Sequence, residues 1–193
     1  MRILPVGRDA VLVEVASPQD AVALAAWARA RSLAGEVVPG AETVLFDGMV
    51  DADALSAALD IWTPGEAPLG RLVEIPVAYD GPDLETVAAC WGCGVDEVAA
   101  RHQGTELVSA FCGFAPGFAY LSGLEVSVPR LATPRTRVPA GSVALAGTWC
   151  GVYPVASPGG WQIIGTTDAL LWDPRRAEPA LLAPGTRVRF VAR

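Results

Sequence analysis

The chain of 193 residues contains no lysine and no asparagine, and all 14 of its basic residues are arginines. The absence of lysine excludes a Schiff-base lysine, any other catalytic lysine and a P-loop lysine supplied by this chain. If the protein binds a nucleoside triphosphate, then arginines, backbone N–H groups or a partner must hold the phosphates. His102 is the only histidine, so any imidazole acid or base must be this residue. It ends a predicted helix, where it is either a proton carrier or a structural capping residue.

Long apolar runs are also missing, although hydrophobic residues make up 52% of the chain. No run approaches the roughly 20 residues that span a bilayer, and the N-terminus shows no signal-peptide pattern. The net charge of −7 is unfavourable for binding nucleic acid. The composition therefore predicts a cytoplasmic protein that binds neither a membrane nor nucleic acid.

Cysteine is scarce, with four residues at positions 90, 93, 112 and 150. Cys90 and Cys93 have the spacing of a redox pair, but they fall at the end of a predicted helix rather than at its start. A zinc site would need two further ligands, and Cys112 and Cys150 are isolated from each other in the sequence. We therefore predict no metal site and interpret the cysteines as small thiols, with a redox or metal role as the alternative.

The first 70 residues show the pattern of a small α+β domain. A hairpin is predicted over 3–6 and 10–15, followed by a helix over 17–31, a strand over 42–47 and a helix over 51–61. The stretch 62–70 is rich in proline and glycine and is interpreted as a linker.

Residues 71–193 form the second predicted domain. A strand over 72–79 and two short helices over 82–90 and 95–101 are followed by short apolar runs separated by glycine and proline. Among these runs, 143–145, 152–155 and 162–164 are predicted strands. The spacing of the turns indicates a compact β-barrel or sandwich whose loops present backbone groups.

An acid-free segment stands out in this acidic chain. Between Val126 and Thr167 there is no Asp or Glu, yet there are three arginines, Arg130, Arg135 and Arg137. The planar guanidinium group suits carboxylate and phosphate, so the segment is a candidate anion-binding site. The alternative is an ordinary surface whose arginines pair with acids elsewhere in the chain.

Turn residues in the same segment are further candidates. Ser142 follows a glycine, so its hydroxyl and N–H could face an oxyanion, or it could simply close a turn. Gly159 and Gly160 permit a ligand to approach the backbone closely. Trp161 is either a pocket wall or a core residue, and Gln162 could bind an amide.

Three motifs in this region resemble a known family. They are Gly113-Phe-Ala-Pro-Gly-Phe-Ala-Tyr-Leu121, then Pro129-Arg130 with Pro134-Arg-Thr-Arg-Val-Pro-Ala-Gly-Ser142, and Ser157-Pro-Gly-Gly-Trp-Gln162. With the closing run 182–190, they are similar to allophanate hydrolase subunit 1, the family of the B subunit of bacterial ATP-dependent 5-oxoprolinase. The family also contains a sporulation-kinase inhibitor and the matching part of urea carboxylase.

The resemblance implies an N-terminal ferredoxin-like domain (1–70) and a C-terminal cyclophilin-like β-barrel domain (71–193). It also implies a partner, allophanate hydrolase subunit 2 (the 5-oxoprolinase C subunit), and a third component, the 5-oxoprolinase A subunit. Together these subunits would open 5-oxoproline to glutamate in a reaction driven by ATP. The ATP, with Mg²⁺, would be shared with or held by the partner subunits. The chain departs from the family pattern at Trp149, Cys150 and Thr166, where many members have Gln, Thr and Arg. These departures leave open a different lactam or amide as substrate.

Our sequence-based hypothesis is therefore one subunit of an ATP-dependent amide or lactam hydrolase. The three arginines would bind substrate carboxylate or phosphate, Ser142 and the Gly159-Gly160 backbone would hold an oxyanion, and His102 would carry a proton. Residues expected to form a pocket wall or a partner contact are Phe114, Phe118, Trp149 and Trp161. The alternative hypothesis is a non-catalytic module that regulates a histidine kinase or another protein.

Overall fold

The structure, a computed structural model, describes residues 1–48, 51–65 and 70–193 of the chain. It divides into two compact units, Met1–Leu69 and Gly70–Arg193. No helix in the described ranges is both long and apolar enough to cross a membrane. Part of the predicted linker, 66–69, lies outside the described residues.

The first unit is a four-stranded antiparallel sheet with two helices. Its elements are β1 (Arg2–Val6), β2 (Ala10–Glu14), α1 (Pro18–Arg29), β3 (Glu36–Pro39), β4 (Thr43–Asp47) and α2 (Ala52–Ile61). The hairpin and both helices are as predicted, and the caps explain where the helices begin. Ser17 Oγ accepts a hydrogen bond from Asp20 N, and Asp51 caps α2 in the same way.

Two features of this sheet differ from the sequence-based expectation. Strand β3 was not predicted, because it has only four residues and ends in Pro39, between the glycines at 35 and 40. The strand order is β1-β2-β4-β3, and β1 comes first in the chain. A ferredoxin-like βαββαβ unit would instead place this edge strand last. The ferredoxin-like designation therefore stays a prediction.

The second unit holds a seven-stranded sheet, a separate two-stranded sheet and two helices. Its elements are β5 (Leu72–Val77), α3 (Leu84–Trp91), α4 (Val95–Gly104), β6 (Leu107–Cys112), β7 (Ala119–Ser122), β8 (Arg135–Val138), β9 (Ser142–Ala146), β10 (Trp149–Val152), β11 (Ser157–Gly159), β12 (Gln162–Thr166) and β13 (Arg187–Ala192). The run predicted as a strand over 152–155 is wrong beyond Val152: the strand lies earlier, and Val155 is exposed.

The large sheet curves into a nearly closed barrel. Its order is β12-β9-β10-β7-β6-β13-β5, and a bridge between Ala78 and Thr166 brings the two edge strands together. A side chain at Gly165 would collide with the carbonyl of Ala78, so glycine is needed where the edges meet. The predicted β-barrel domain is thus confirmed, whereas its cyclophilin-like designation stays a prediction.

Both faces of the barrel sheet are covered, and this arrangement positions the candidate site. On β9, Val143 and Leu145 belong to the interior core, whereas Ala144 and Ala146 pack in a second, aromatic-rich cluster. Since side chains alternate along a strand, the second cluster lies on the outer face of the sheet.

Candidate functional site: an aromatic cleft with an unpaired arginine

Seven aromatic rings cluster on the outer face of the barrel, with centroids of contacting pairs 4.3–6.2 Å apart. They belong to Phe111, Phe114, Phe118, Tyr120, Trp149, Tyr153 and Trp161. Gly151 lies beneath them, and a Cβ there would come within 2.9 Å of the Phe118 ring and 3.1 Å of the Trp161 ring. The glycine in β10 therefore lets large rings pack directly on the sheet.

Two neighbouring clefts open among these rings. The larger, about 300 Å³, is lined by Tyr120, Arg130, Ala146, Gly147, Trp149 and Trp161. The narrower, about 50 Å³, continues toward Phe114, Tyr153 and Gly159, and it shares Tyr120, Arg130 and Trp161 with the first. We call the two together the aromatic cleft. Small residues form its floor and aromatic rings its walls, so it suits a flat ligand.

Arg130 is the cation of the aromatic cleft. It is exposed, and it forms no salt bridge with any residue in the described ranges. Its backbone is nevertheless held on both sides: Gln162 Nε2 donates to Pro129 O (3.0 Å), and Leu131 N donates to Gly160 O (2.8 Å). Arg130 thus offers a guanidinium group from a held backbone position, as an anion site requires.

The hydroxyl of Tyr153 lies beside this cation. Burial raises the pKa of Tyr153, while the positive charge of Arg130 acts in the opposite direction. Tyr153 therefore stays protonated at neutral pH and can act only as a neutral hydrogen-bonding group.

Arg135 does not serve as the unpaired cation that the sequence suggested. Its Nη2 donates to Asp83 Oδ1 at 2.7 Å, and the Asp83 side chain is only 9% exposed. The acid-free segment therefore pairs one of its arginines with an acid 52 residues earlier in the chain, which was the alternative interpretation. Arg137 is exposed on the same strand and has no salt-bridge partner in the described part of the chain.

Ser142 and the two glycines are also placed differently from the oxyanion hypothesis. Ser142 is 1% exposed, and its N–H donates to Pro139 O. Neither its buried side chain nor its N–H is therefore available to a ligand. Gly159 pairs with Arg135 between β11 and β8, and a Cβ there would collide with the Tyr153 hydroxyl. Gly160 is buried and its carbonyl accepts from Leu131. The close approaches at these glycines are made by the protein itself.

Gln162 supports the cleft from behind. It is 3% exposed and its amide nitrogen is used by Pro129, so it does not reach the cleft as an amide-binding group. Its Oε1 is buried and has no hydrogen-bond partner among the residues that the structure describes.

Of the predicted wall residues, Trp149 and Trp161 line the larger cleft, and Phe114 and Phe118 line the narrower one. Phe118 is 2% exposed and is a core residue rather than a partner contact. Phe114 is 61% exposed and adopts a left-handed backbone with φ of 68°. Such a conformation is costly for a bulky residue, which favours a functional reason for it.

His102 is not brought to the cleft. It is fully buried, with the Tyr79 hydroxyl 2.8 Å from Nδ1, Cys150 Sγ 3.4 Å from Nε2, and the Phe190 ring tilted against it. Burial lowers the pKa of His102 to about 3 and raises the pKa values of Cys150 and Tyr79. The neutral imidazole thus lies away from solvent and cannot exchange a proton with a ligand in the cleft.

The cysteines are all free thiols, with Cys90 exposed and Cys150 buried. In the described ranges no three His, Cys, Asp or Glu side chains group as a metal site would require.

Sequence reasoning missed three residues of this region. Tyr120 and Tyr153 contribute to the cleft, and the tyrosine in the run 113–121 was a signal for the first of them. Asp83 gave no such signal, because an Asp after Pro82 at a helix start is ordinarily interpreted as a cap.

A family model covers most of the chain. Residues 1–182 match the carboxyltransferase domain, subdomain C and D.

Three curated relatives are named as the B subunit of 5-oxoprolinase. The protein from Escherichia coli O157:H7 is 43% identical over 206 residues, covering 96% of this chain and 93% of that protein. The Haemophilus influenzae protein is 39% identical over 99% of this chain and 97% of its own length. The Bacillus subtilis protein is 47% identical over 63% of this chain, and the match spans about half (52%) of that protein.

Solved structures show the same fold. A conserved uncharacterized protein from Pyrococcus horikoshii matches all of this chain and 97% of its own at 34% identity, with a TM-score of 0.61. The protein TTHA0988 matches with a TM-score of 0.80 at 35% identity, and this chain spans only 40% of it. Urea carboxylase from Kluyveromyces lactis, at 18% identity over 23% of that chain and a TM-score of 0.68, shares the fold alone.

The match over residues 1–182 and the 43% identity along nearly all of the E. coli protein show that this chain belongs to the carboxyltransferase subdomain C and D family, together with the proteins named as the 5-oxoprolinase B subunit.

Proposed function

We propose that this chain is one subunit of an ATP-dependent 5-oxoprolinase, which opens the lactam of 5-oxoproline to glutamate. The observation that carries the proposal is the guanidinium of Arg130, which lies between the aromatic walls of the cleft and pairs with no acid among the residues that the structure describes. The names of the relatives at 39–47% identity support the same activity.

The chemistry of the cleft suits such a substrate. 5-Oxoproline is a flat ring with one carboxylate, so the ring can lie against Trp161 and Trp149 while the carboxylate takes the fork of Arg130. Among the described residues that line the cleft, tyrosine and arginine are the only titratable groups. Since His102 and Ser142 are buried, we propose that the groups that attack the lactam come from the partners, the 5-oxoprolinase C subunit (allophanate hydrolase subunit 2) and the A subunit.

The described residues of this chain do not fit ATP. The cleft supplies one arginine where a triphosphate needs several donors, and the chain contains no lysine or P-loop. We propose that the partner subunits hold ATP and its Mg²⁺, and that this chain binds and orients the organic substrate. Three departures from the family pattern leave another lactam or amide as the alternative substrate; of these Trp149 lines the cleft itself.

A second function, the binding of a regulatory protein such as a histidine kinase, is favoured by one observation, the exposed and strained Phe114 at the rim of the cleft. The regulatory function predicts a stable complex with the partner protein and no turnover of a substrate.

The test is reconstitution with the A and C subunits of 5-oxoprolinase, followed by an assay of 5-oxoproline-dependent ATP hydrolysis and glutamate release. The proposal expects both, in equal amounts, only when all subunits are present. ATP hydrolysis that does not depend on 5-oxoproline but does depend on another lactam or amide would identify a hydrolase with a different substrate. A complex with no hydrolysis of any lactam or amide would favour the regulatory function.

A further inference from the structure

Asp83 occupies the N-cap position of α3, yet its side chain makes no capping hydrogen bond. Asp is among the preferred N-cap residues because its carboxylate normally accepts from the first free N–H groups of its helix. Here the helix begins without this bond, and the carboxylate makes its hydrogen bonds to other parts of the chain. Its side chain is only 9% exposed, a position that an unpaired carboxylate would not occupy.

The carboxylate instead joins two segments of the barrel. Oδ2 accepts from the backbone N–H of Ile163 at 2.6 Å, and Oδ1 accepts from Arg135 Nη2 at 2.7 Å. The backbone N–H of Asp83 also donates to Ile163 O at 3.1 Å. Both the side-chain carboxylate and the backbone N–H of Asp83 are therefore hydrogen-bonded to Ile163 of β12.

Arg135 extends this connection to the cleft wall. Its Nη1 donates to Trp161 O at the long distance of 3.5 Å, and its backbone pairs with Gly159. The segment 159–163, which carries the Trp161 wall, is thus held by Asp83 at one end and by Arg135 along its length.

The same segment holds Arg130. Gly160 O accepts from Leu131 N, and Gln162 Nε2 donates to Pro129 O, one on each side of the arginine. A continuous set of hydrogen bonds therefore runs from Asp83 through Arg135 and 159–163 to the backbone of Arg130. None of these bonds involves the Arg130 guanidinium, which has no salt-bridge partner among the described residues and is therefore available to a ligand.

We propose that Asp83 is a positioning residue for the aromatic cleft: through Arg135 and the segment 159–163 it sets the place of Arg130 and Trp161. The importance of this role for turnover rests on the proposed function. The connection itself is a property of the chain and can be measured without substrate.

The direct experiment is hydrogen–deuterium exchange on the purified chain with Asp83→Asn, a substitution that keeps the side-chain shape. We expect faster exchange in peptides covering 159–163 and also in those covering 128–133, about 10-fold or more at Leu131, with β13 unchanged. Asp173→Asn is the matched control, because Asp173 pairs with Arg175 and Arg176 and should leave both peptides unchanged. Faster exchange confined to α3 and Ile163 would overturn the proposal.

Arg135→Gln is the second variant and decides the matter if Asp83→Asn does not fold. It leaves the bond from Asp83 to Ile163 in place, and we expect the same faster exchange in 128–133. No change there would contradict the role of Arg135 in the connection.

Kinetics of the reconstituted enzyme separate this proposal from the proposed function. If 5-oxoproline is the substrate, Asp83→Asn should raise its KM about 10-fold while kcat changes less than about 3-fold. A wild-type enzyme inactive on 5-oxoproline, with the exchange result still positive, would refute only the proposed function. Unchanged exchange in both variants would refute the positioning role whatever the substrate.

Discussion

The hydroxyl of Tyr79 lies 2.8 Å from Nδ1 of His102 in the interior of the barrel. This contact accounts for one ring nitrogen of the only histidine, and Cys150 lies against the other. Tyr79 and His102 pack in the core on the inner face of the barrel sheet, whereas the aromatic cleft lies on the outer face of the same sheet.

The burial of His102 predicts a specific dependence of stability on pH. Its pKa is about 3 in the folded protein and about 6.5 when unfolded, so between these values the unfolded chain binds more protons. Above pH 6.5 His102 is neutral in both states and does not change the free energy of unfolding with pH. As the pH falls from 6.5 toward 3, it lowers the free energy of unfolding by about 1.4 kcal/mol per pH unit. Urea unfolding between pH 4.5 and 7.5 should show this slope in the wild type, and His102→Gln should lack it. Acidic residues shared by both proteins cancel in the difference, and parallel curves would contradict the prediction.

The pair between Arg135 and Asp83 predicts that Arg135 contributes to the stability of the fold. Arg135→Ala leaves a buried carboxylate without its partner, and we expect a loss of about 1–3 kcal/mol in the free energy of unfolding. Arg137→Ala, on the same strand but exposed, is the control and should change stability by less than about 0.5 kcal/mol. Equal melting temperatures for the two variants would show that the ion pair contributes nothing.

The exposure of Phe114 predicts a contact with a partner protein, which under the proposed function is the 5-oxoprolinase C subunit. Phe114→Glu should abolish co-elution with the 5-oxoprolinase C subunit at micromolar concentration while the melting temperature stays within a few degrees. Phe118→Ala tests the opposite case: as a core residue it should lower stability by about 3 kcal/mol or more. Undiminished co-elution of Phe114→Glu would place the interface elsewhere.

The free thiols of Cys90 and Cys93 are predicted to be dispensable. Replacing both with Ser should leave 5-oxoproline-dependent ATP hydrolysis within about 3-fold of the wild type, because neither lies in the cleft. A large loss of activity, or zinc that co-purifies with the wild type only, would restore a redox or metal role. Cys150→Ser serves as the contrast and should destabilise the barrel, since the smaller hydroxyl replaces a fully buried thiol of the core and loses its packing contacts.

Local sequence patterns predicted the elements of this fold well, and for identifiable reasons. Ser17 and Asp51 cap their helices through their own side chains, so the helix starts could be located from neighbouring residues alone. Strand β3 was missed because it has only four residues and ends in Pro39, and β10 was placed too late because the apolar run 152–155 continues beyond the last residue that pairs with β9.

The candidate site was predicted only in part. The acid-free segment pointed to Arg130, which lines the cleft, but the partner of Arg135 is an acid 52 residues away that no local pattern connects to it. Likewise, the solitary His102 was a candidate because of its chemistry, whereas its burial follows from packing against distant elements and could not be inferred from a helix end.

The most direct test of the account compares Arg130→Ala with Arg137→Ala in binding of 5-oxoproline to the assembled subunits, measured by calorimetry. Both substitutions remove one exposed arginine from the same acid-free segment, but only Arg130 lines the cleft. A charge-assisted pair is worth about 1.5–3 kcal/mol, so Arg130→Ala should weaken binding by roughly 10- to 100-fold, and Arg137→Ala by less than about 2-fold. Equal affinities for the two variants, or a larger loss with Arg137→Ala, would contradict the assignment of the aromatic cleft as the substrate site.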